Sequence, residues 1–150
     1  MTSIRAFGIE VEAPPGWEAR VFRLADGEPT LHAASFPLPL SDGEFGANAT
    51  RHMRADGAFV SVTEYLVDGR LGPQEGLFAA RQPRAIARTA FRHDMLFRPV
   101  TGQLGSQTFF TAAGRPFALY AVVASPGALA GRLPELNVLL GSLSIESPTR

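Results

Sequence analysis

The sequence predicts an α+β fold in which a curved antiparallel β-sheet packs against a C-terminal α-helix, with one or two shorter helices. Three observations support this class. Short stretches rich in β-branched and aromatic residues are separated by turns that carry glycine and proline. Residues 117–123 are almost all apolar, as in a strand that is covered on both faces. Residues 127–140 place leucines mostly at three- and four-residue steps, which is typical of an amphipathic helix.

The first half of the chain is predicted to be mainly strand. Phe7, Ile9 and Val11 alternate with glutamates, which predicts one strand with an apolar face. This strand ends at Pro14-Pro15-Gly16, because proline lacks the backbone donor that a sheet requires. The predicted elements of this half are strands at 4–12, 18–24, 31–36 and 58–67, with a short helix over 46–55.

Turns and caps separate these elements. Asp26-Gly27 predicts a turn, and Ser41 or Asp42 is predicted to cap the short helix. Asp56-Gly57 ends that helix, as a C-terminal glycine does. Phe36, Leu38 and Leu40 alternate with prolines just before it. They form a partner patch if they are exposed and close the core if they fold back, and both interpretations remain open.

The second half combines an irregular segment, a hairpin and a helix. Pro83 and Pro99 limit regular structure, so residues 77–100 are predicted to be an irregular loop. A hairpin turns around Gly114, and Gly141 is predicted to close the final helix. The predicted elements of this half are strands at 106–111, 117–124 and 143–146, with the helix over 127–140.

Composition narrows the class of protein. The 150 residues fit a single domain over 1–150, and the absence of cysteine excludes disulfides, zinc–thiolate sites and thiol catalysis. The net charge is zero, so the overall balance gives no reason to expect nucleic acid or a membrane surface as a partner. No stretch has the roughly 20 apolar residues of a membrane span, and the start has no leader pattern. We therefore expect a soluble, cytoplasmic protein.

Three segments resemble the Mog1/PsbP-like fold family. They are the opening strand into Pro14-Pro15-Gly16-Trp17, the hairpin at Gly114-Arg115, and the closing residues 136–143. The resemblance implies an antiparallel sheet packed with helices in a non-enzymatic binding or assembly protein. It transfers no partner and no functional residue, because members of that fold bind different proteins.

Arginines form the sharpest candidate site. All fourteen basic residues are arginine, and Arg81, Arg84, Arg88 and Arg92 follow one another at steps of three, four and four. A helix would place them on one face, where they could bind an acidic protein surface or a phosphate group. The alternative interpretation, a solvated surface segment in a protein with arginine-rich codon usage, is favoured. His93 follows this run directly and joins the candidate binding residues.

Glu64 is the other candidate. It lies in an otherwise apolar strand, so it either faces solvent or is buried and paired with an arginine. Strand alternation favours the solvent-facing interpretation. A buried pair would mark a site.

Catalytic and metal motifs are missing from the sequence. The histidines at 32, 52 and 93 have no metal-ligand spacing, and there is neither a Gly-x-Ser-x-Gly elbow nor a phosphate-loop lysine. We therefore expect no cofactor and no bound metal. The leading hypothesis is a non-enzymatic module that binds another protein. One alternative is a ligand-binding or hydrolytic protein with a cleft between sheet and helix, and another is a self-assembling homo-oligomer.

Overall fold

The computed structural model describes residues 1–25, 27–41, 43–65 and 72–147. Two α-helices lie within these ranges, α1 (Ala47–Arg51) and α2 (Pro126–Ser142). Short 3-10 turns occur at Glu44–Gly46, Gly76–Ala79, Arg88–Ala90 and His93–Met95. The strands are β1 (Thr2–Ala6), β2 (Ile9–Ala13), β3 (Glu18–Phe22), β4 (Thr30–Ala34), β5 (Ala58–Glu64), β6 (Leu104–Ala112), β7 (Arg115–Val123) and β8 (Ser144–Ile145).

The strands form two antiparallel sheets, which confirms the α+β class. One sheet has three strands in the order β1-β2-β8, and the other has five in the order β3-β4-β5-β7-β6. The sheet is curved and does not close into a barrel. Residues of both sheets and of α2 meet in one hydrophobic core cluster.

The predicted strand over 4–12 is wrong, because the chain reverses in its middle. Phe7 and Gly8 have φ of 52° and 77°, the left-handed pair that a two-residue hairpin turn requires. β1 and β2 then pair so that Ile4 opposes Val11. Residues that pair share a sheet face, so the parity of the apolar positions changes at the turn. Phe7 hides this change, because it has the parity of Ile9 and Val11 and extends their alternation.

α2 covers the first face of the five-stranded sheet, the face that carries Val60 and Val62. Ser125 caps the helix by accepting a hydrogen bond from the Ala128 N–H at 3.0 Å, and Pro126 occupies the first turn. Leu136, Leu139 and Leu140 are fully buried, as the leucine stripe predicts. Two details differ from the prediction: Val138 of that stripe is exposed, and the helix continues through Gly141.

The second face of the five-stranded sheet, which carries His32, Phe59 and Tyr120, is covered by chain segments rather than by a long helix. Phe36 and Leu38 pack against Phe59, so these two residues of the proline-interrupted segment close the core, whereas Leu40 of the same segment is exposed. Leu96 packs against Tyr120 from the other side.

Parts of the predicted turns and caps lie outside the described residues. These parts are Asp26 of the predicted turn, Asp42 as a predicted helix cap, and residues 66–71. The Gly27 N–H donates to the Leu24 carbonyl at 3.0 Å, which places a turn there. Gly46 occupies the N-cap position of α1, so the N-cap residue of this helix supplies no side-chain hydrogen bond.

Arg115 joins the two sheets. Its side chain is almost fully buried and holds Glu64 of β5 in a two-pronged ion pair, with N–O distances of 3.1 and 2.7 Å. Its remaining Nη1 donates to the carbonyl of Glu146, just past β8, at 2.9 Å. Gly8 lies against this guanidinium, and an added Cβ there would stand 2.7 Å from Nη1. The buried cation therefore fixes the three-stranded sheet against β5 and β7.

Replacing Glu64 with alanine should lower the free energy of unfolding by about 3–5 kcal/mol, because it leaves the Arg115 charge buried without its carboxylate. Chemical denaturation followed by circular dichroism measures this change. The matched control is Arg5→Ala, which removes a solvent-exposed ion pair with Glu146 and should cost about 0–1 kcal/mol. Equal losses in the free energy of unfolding for the two variants would show that the Arg115–Glu64 ion pair stabilises the fold no more than the exposed pair does.

Candidate functional site

The side chain of Glu64 is only 11% exposed and is paired with Arg115, so the favoured solvent-facing interpretation is wrong. Glu64 has the same parity as Val60 and Val62, so it lies on the first, covered face of β5. There Arg115 supplies the charge that makes burial tolerable. Both oxygens of Glu64 accept hydrogen bonds from the guanidinium, so Arg115 holds this carboxylate at both atoms.

The four arginines of the sequence pattern do not lie on a helix. The chain from 77 to 100 is irregular with 3-10 turns, as predicted, so the steps of three and four do not gather them on one face. Arg81 and Arg92 form isolated bridges to β6, at Thr111 and Gly105. Arg84 donates to the Leu143 carbonyl at 3.0 Å, and Arg88 is exposed in a 3-10 turn.

His93 is separate from this set in its contacts. Its Nδ1 lies 3.2 Å from the carbonyl of Gln103, and its side chain is exposed. Arg92 forms an ion pair with Asp94. The structure therefore does not assemble the predicted residues into one site.

A row of polar side chains crosses the second face of the five-stranded sheet. Strand register places one polar residue of each strand next to the polar residue of its neighbour. Ser61 is fully buried and shares a hydrogen bond of 2.9 Å with Thr63, and the Tyr120 hydroxyl accepts from the Phe97 N–H at 3.0 Å. The row consists of Arg20, His32, Ser61, Tyr120 and Gln107.

A cavity of about 250 Å³ opens at the end of this row that lies over β3 and β4. Phe22, Thr30 and Thr63 are direct neighbours across three strands and form its floor with His32. Its remaining lining residues come from the turn after β3 and from the segment before α1: Leu24, Gly27, Glu28, Gly43, Glu44 and Phe45. We call it the first cavity.

His32 gives the first cavity a buried imidazole. Its ring is flanked edge-on by Phe22 and Phe59, with centroids 4.9 and 5.1 Å away. Only 1% of the residue is exposed. Two aromatic neighbours fix the plane of the ring, so the histidine is a rigid part of the cavity wall.

A second cavity of about 290 Å³ adjoins the first. The two share Phe22, Leu24, Gly43 and Glu44 as a common wall, and Arg20 and Leu40 lie on the far side. Leu24 and Leu40 are highly exposed at 68% and 103%. The two cavities therefore form one elongated depression rimmed by apolar side chains.

Glu44 sets the electrostatics beside the first cavity. Burial raises the pKa of the Tyr65 hydroxyl above its usual range, and the negative charge of Glu44 raises it further. Because this pKa is higher in the folded protein, Tyr65 contributes stability below the unfolded value of about 10 that is lost as the pH rises through the folded value. Among the described residues, neither Glu28 nor Glu44 takes part in an ion pair.

Sequence reasoning did not find this site, because it depends on strand register. A weak signal exists: single polar residues interrupt apolar strands at His32, Ser61 and Tyr120. Their alignment into a row requires the strand order β4-β5-β7, which brings together residues far apart in sequence.

Two further observations concern metal binding and membrane spanning in the described ranges. No group of three histidine, aspartate or glutamate side chains there is placed to hold a metal ion. No helix within the same ranges is long and apolar enough to span a membrane.

Comparison with protein-family models, with curated proteins and with solved structures finds no match to the chain. The resemblance to the Mog1/PsbP-like fold therefore stays a prediction.

Replacing Glu44 with glutamine should lower the pKa of Tyr65, because the nearby negative charge is removed while burial remains. The chain has two tyrosines, so the measurement uses a Tyr120→Phe background and follows the ultraviolet absorbance of the phenolate as a function of pH. Glu12→Gln, at an exposed position of β2, is the control and should leave the titration unchanged. An unchanged Tyr65 titration in Glu44→Gln would show that the carboxylate does not act on this face.

Proposed function

We propose that the protein is a non-enzymatic binding module that holds a segment of a partner polypeptide along the two adjoining cavities of the second sheet face. The observation that carries this proposal is the exposure of Leu24 and Leu40 beside cavities that share a wall. Large apolar side chains that stand clustered in solvent mark partner surfaces in soluble proteins.

The shape of the depression favours a polypeptide segment over a compact small molecule. The first cavity, at about 250 Å³, is smaller than the roughly 300–1,000 Å³ usual for small-molecule pockets. The second is of similar size, and Phe22 separates the two as part of their common wall. Two adjacent pockets suit successive side chains of an extended chain, as in peptide recognition along strands.

Rigid surroundings support a binding role. The floor belongs to three hydrogen-bonded strands, and His32 is wedged between two aromatic rings. A preformed surface loses little conformational entropy on binding, so more of the contact energy appears as affinity.

The sequence-based alternatives have less support. Buried leucines of α2 fill its interface with the five-stranded sheet, where the predicted cleft of a ligand-binding or hydrolytic protein would lie. A depression of about 410 Å³ at the start of α2, where Arg132 pairs with Asp56 at 3.0 Å, has the volume of a small-molecule pocket and is the feature that favours the ligand-binding alternative. Self-assembly through the β6 edge is hindered by the bridges from Arg81 and Arg92. Both alternatives stay hypotheses.

Hexapeptides of serine and glycine that carry two apolar residues at varied spacing test the proposal. We expect a subset to bind the wild type and to bind at least about tenfold more weakly when Leu24 and Leu40 are both changed to glutamate, since the apolar rim is lost. Fluorescence anisotropy measures the affinities.

The matched control is Val138→Glu, which changes an exposed apolar residue on α2, on the opposite side of the five-stranded sheet. Its affinities should equal those of the wild type. The proposal fails if no peptide of the set binds, or if the control weakens binding as much as the rim variant.

A further inference from the structure

We infer that the first cavity accepts a lysine or arginine side chain of the partner segment, with the apolar stem against Phe22 and Phe45 and the cationic head at Glu28 and Glu44. This inference rests on the proposed function and adds the chemistry that the partner must present.

The walls of the first cavity suit the stem of a long basic side chain. Phe22, Leu24 and Phe45 supply apolar surface, and the methylene stems of lysine and arginine pack on such surface while their heads reach polar groups. Phe22 and Phe45 are aromatic, and aromatic rings attract cations at close range.

The carboxylates of the first cavity supply the charge complementarity. Glu28 and Glu44 line it from two different segments, and no described arginine is among its lining residues. The Arg98 guanidinium donates to the backbone carbonyl of Glu44 at 3.3 Å and not to its carboxylate. Two carboxylates without ion pairs among the described residues favour a positive occupant.

The second cavity offers apolar surface and so sets the order of side chains in the partner. Its lining includes Phe22, Leu24 and Leu40. An apolar side chain that enters the second cavity buries its surface against these three residues. The partner segment therefore presents one basic and one apolar residue.

The test compares three versions of the hexapeptides, in which one apolar residue is replaced by lysine, by norleucine or by glutamate. Norleucine keeps a straight apolar stem and removes the ammonium group, so the comparison isolates the charge. We expect lysine to bind at least about tenfold more tightly than norleucine, in the range of a charge-assisted hydrogen bond, and glutamate to bind most weakly. The advantage of lysine should disappear in the double variant Glu28→Gln and Glu44→Gln and persist in Glu12→Gln.

The outcomes separate this inference from the proposed function. If norleucine binds as tightly as lysine, the charge inference is overturned and the binding of apolar segments stands. If no version binds, the proposed function fails as well. Hexylammonium alone is the last probe, and binding as tight as that of the lysine peptide would assign the cavity to a free amine and overturn the assignment to a polypeptide.

Discussion

Arg115 is the charge around which the two sheets are arranged. Glu64 supplies its counter-charge from β5, the Glu146 carbonyl accepts from beyond β8, and the Phe117 ring lies 5.4 Å from the guanidinium carbon. A buried guanidinium is tolerated only when its donors have partners, so three segments distant in sequence must meet at this point. The ion pair thereby makes the position of the three-stranded sheet dependent on β5 and β7.

The two faces of the five-stranded sheet differ in the segments that cover them and in the polarity of their side chains. The first face is closed by α2 and the three-stranded sheet, and its side chains are almost entirely apolar. The second face is covered by short chain segments and carries the polar row that includes His32, Ser61 and Tyr120. Because the first face supplies most of the apolar burial, the second can hold polar groups and open cavities at a modest cost in stability.

Local patterns predicted much of the fold. The leucine stripe indicated α2, and the apolar run from Phe117 to Val123 indicated a strand covered on both faces. The Phe7-Gly8 reversal was missed, because Phe7 has the same parity as Ile9 and Val11 and so makes the turn look like part of one strand. Irregular backbone near Arg81 and Arg92 was expected. Because steps of three and four align side chains only on a helix, the arginine spacing does not place these residues on one face.

The candidate site was less accessible to sequence reasoning than the fold. Glu64 was singled out, but its partner Arg115 is 51 positions away and only strand pairing brings them together. The cavity beside His32 depends on the register of β3, β4 and β5 and on where the segment before α1 crosses them. Such information lies in tertiary packing, which residue types and spacing do not specify.

The most direct test of the account is the nuclear Overhauser effect between the tightest-binding hexapeptide and the isotope-labelled protein. The account predicts contacts from the peptide side chains to the rings of Phe22 and Phe45, and none to the methyl groups of Val138. Contacts that avoid Phe22 and Phe45, or that fall on α2, would contradict the claim that the second sheet face is the binding surface.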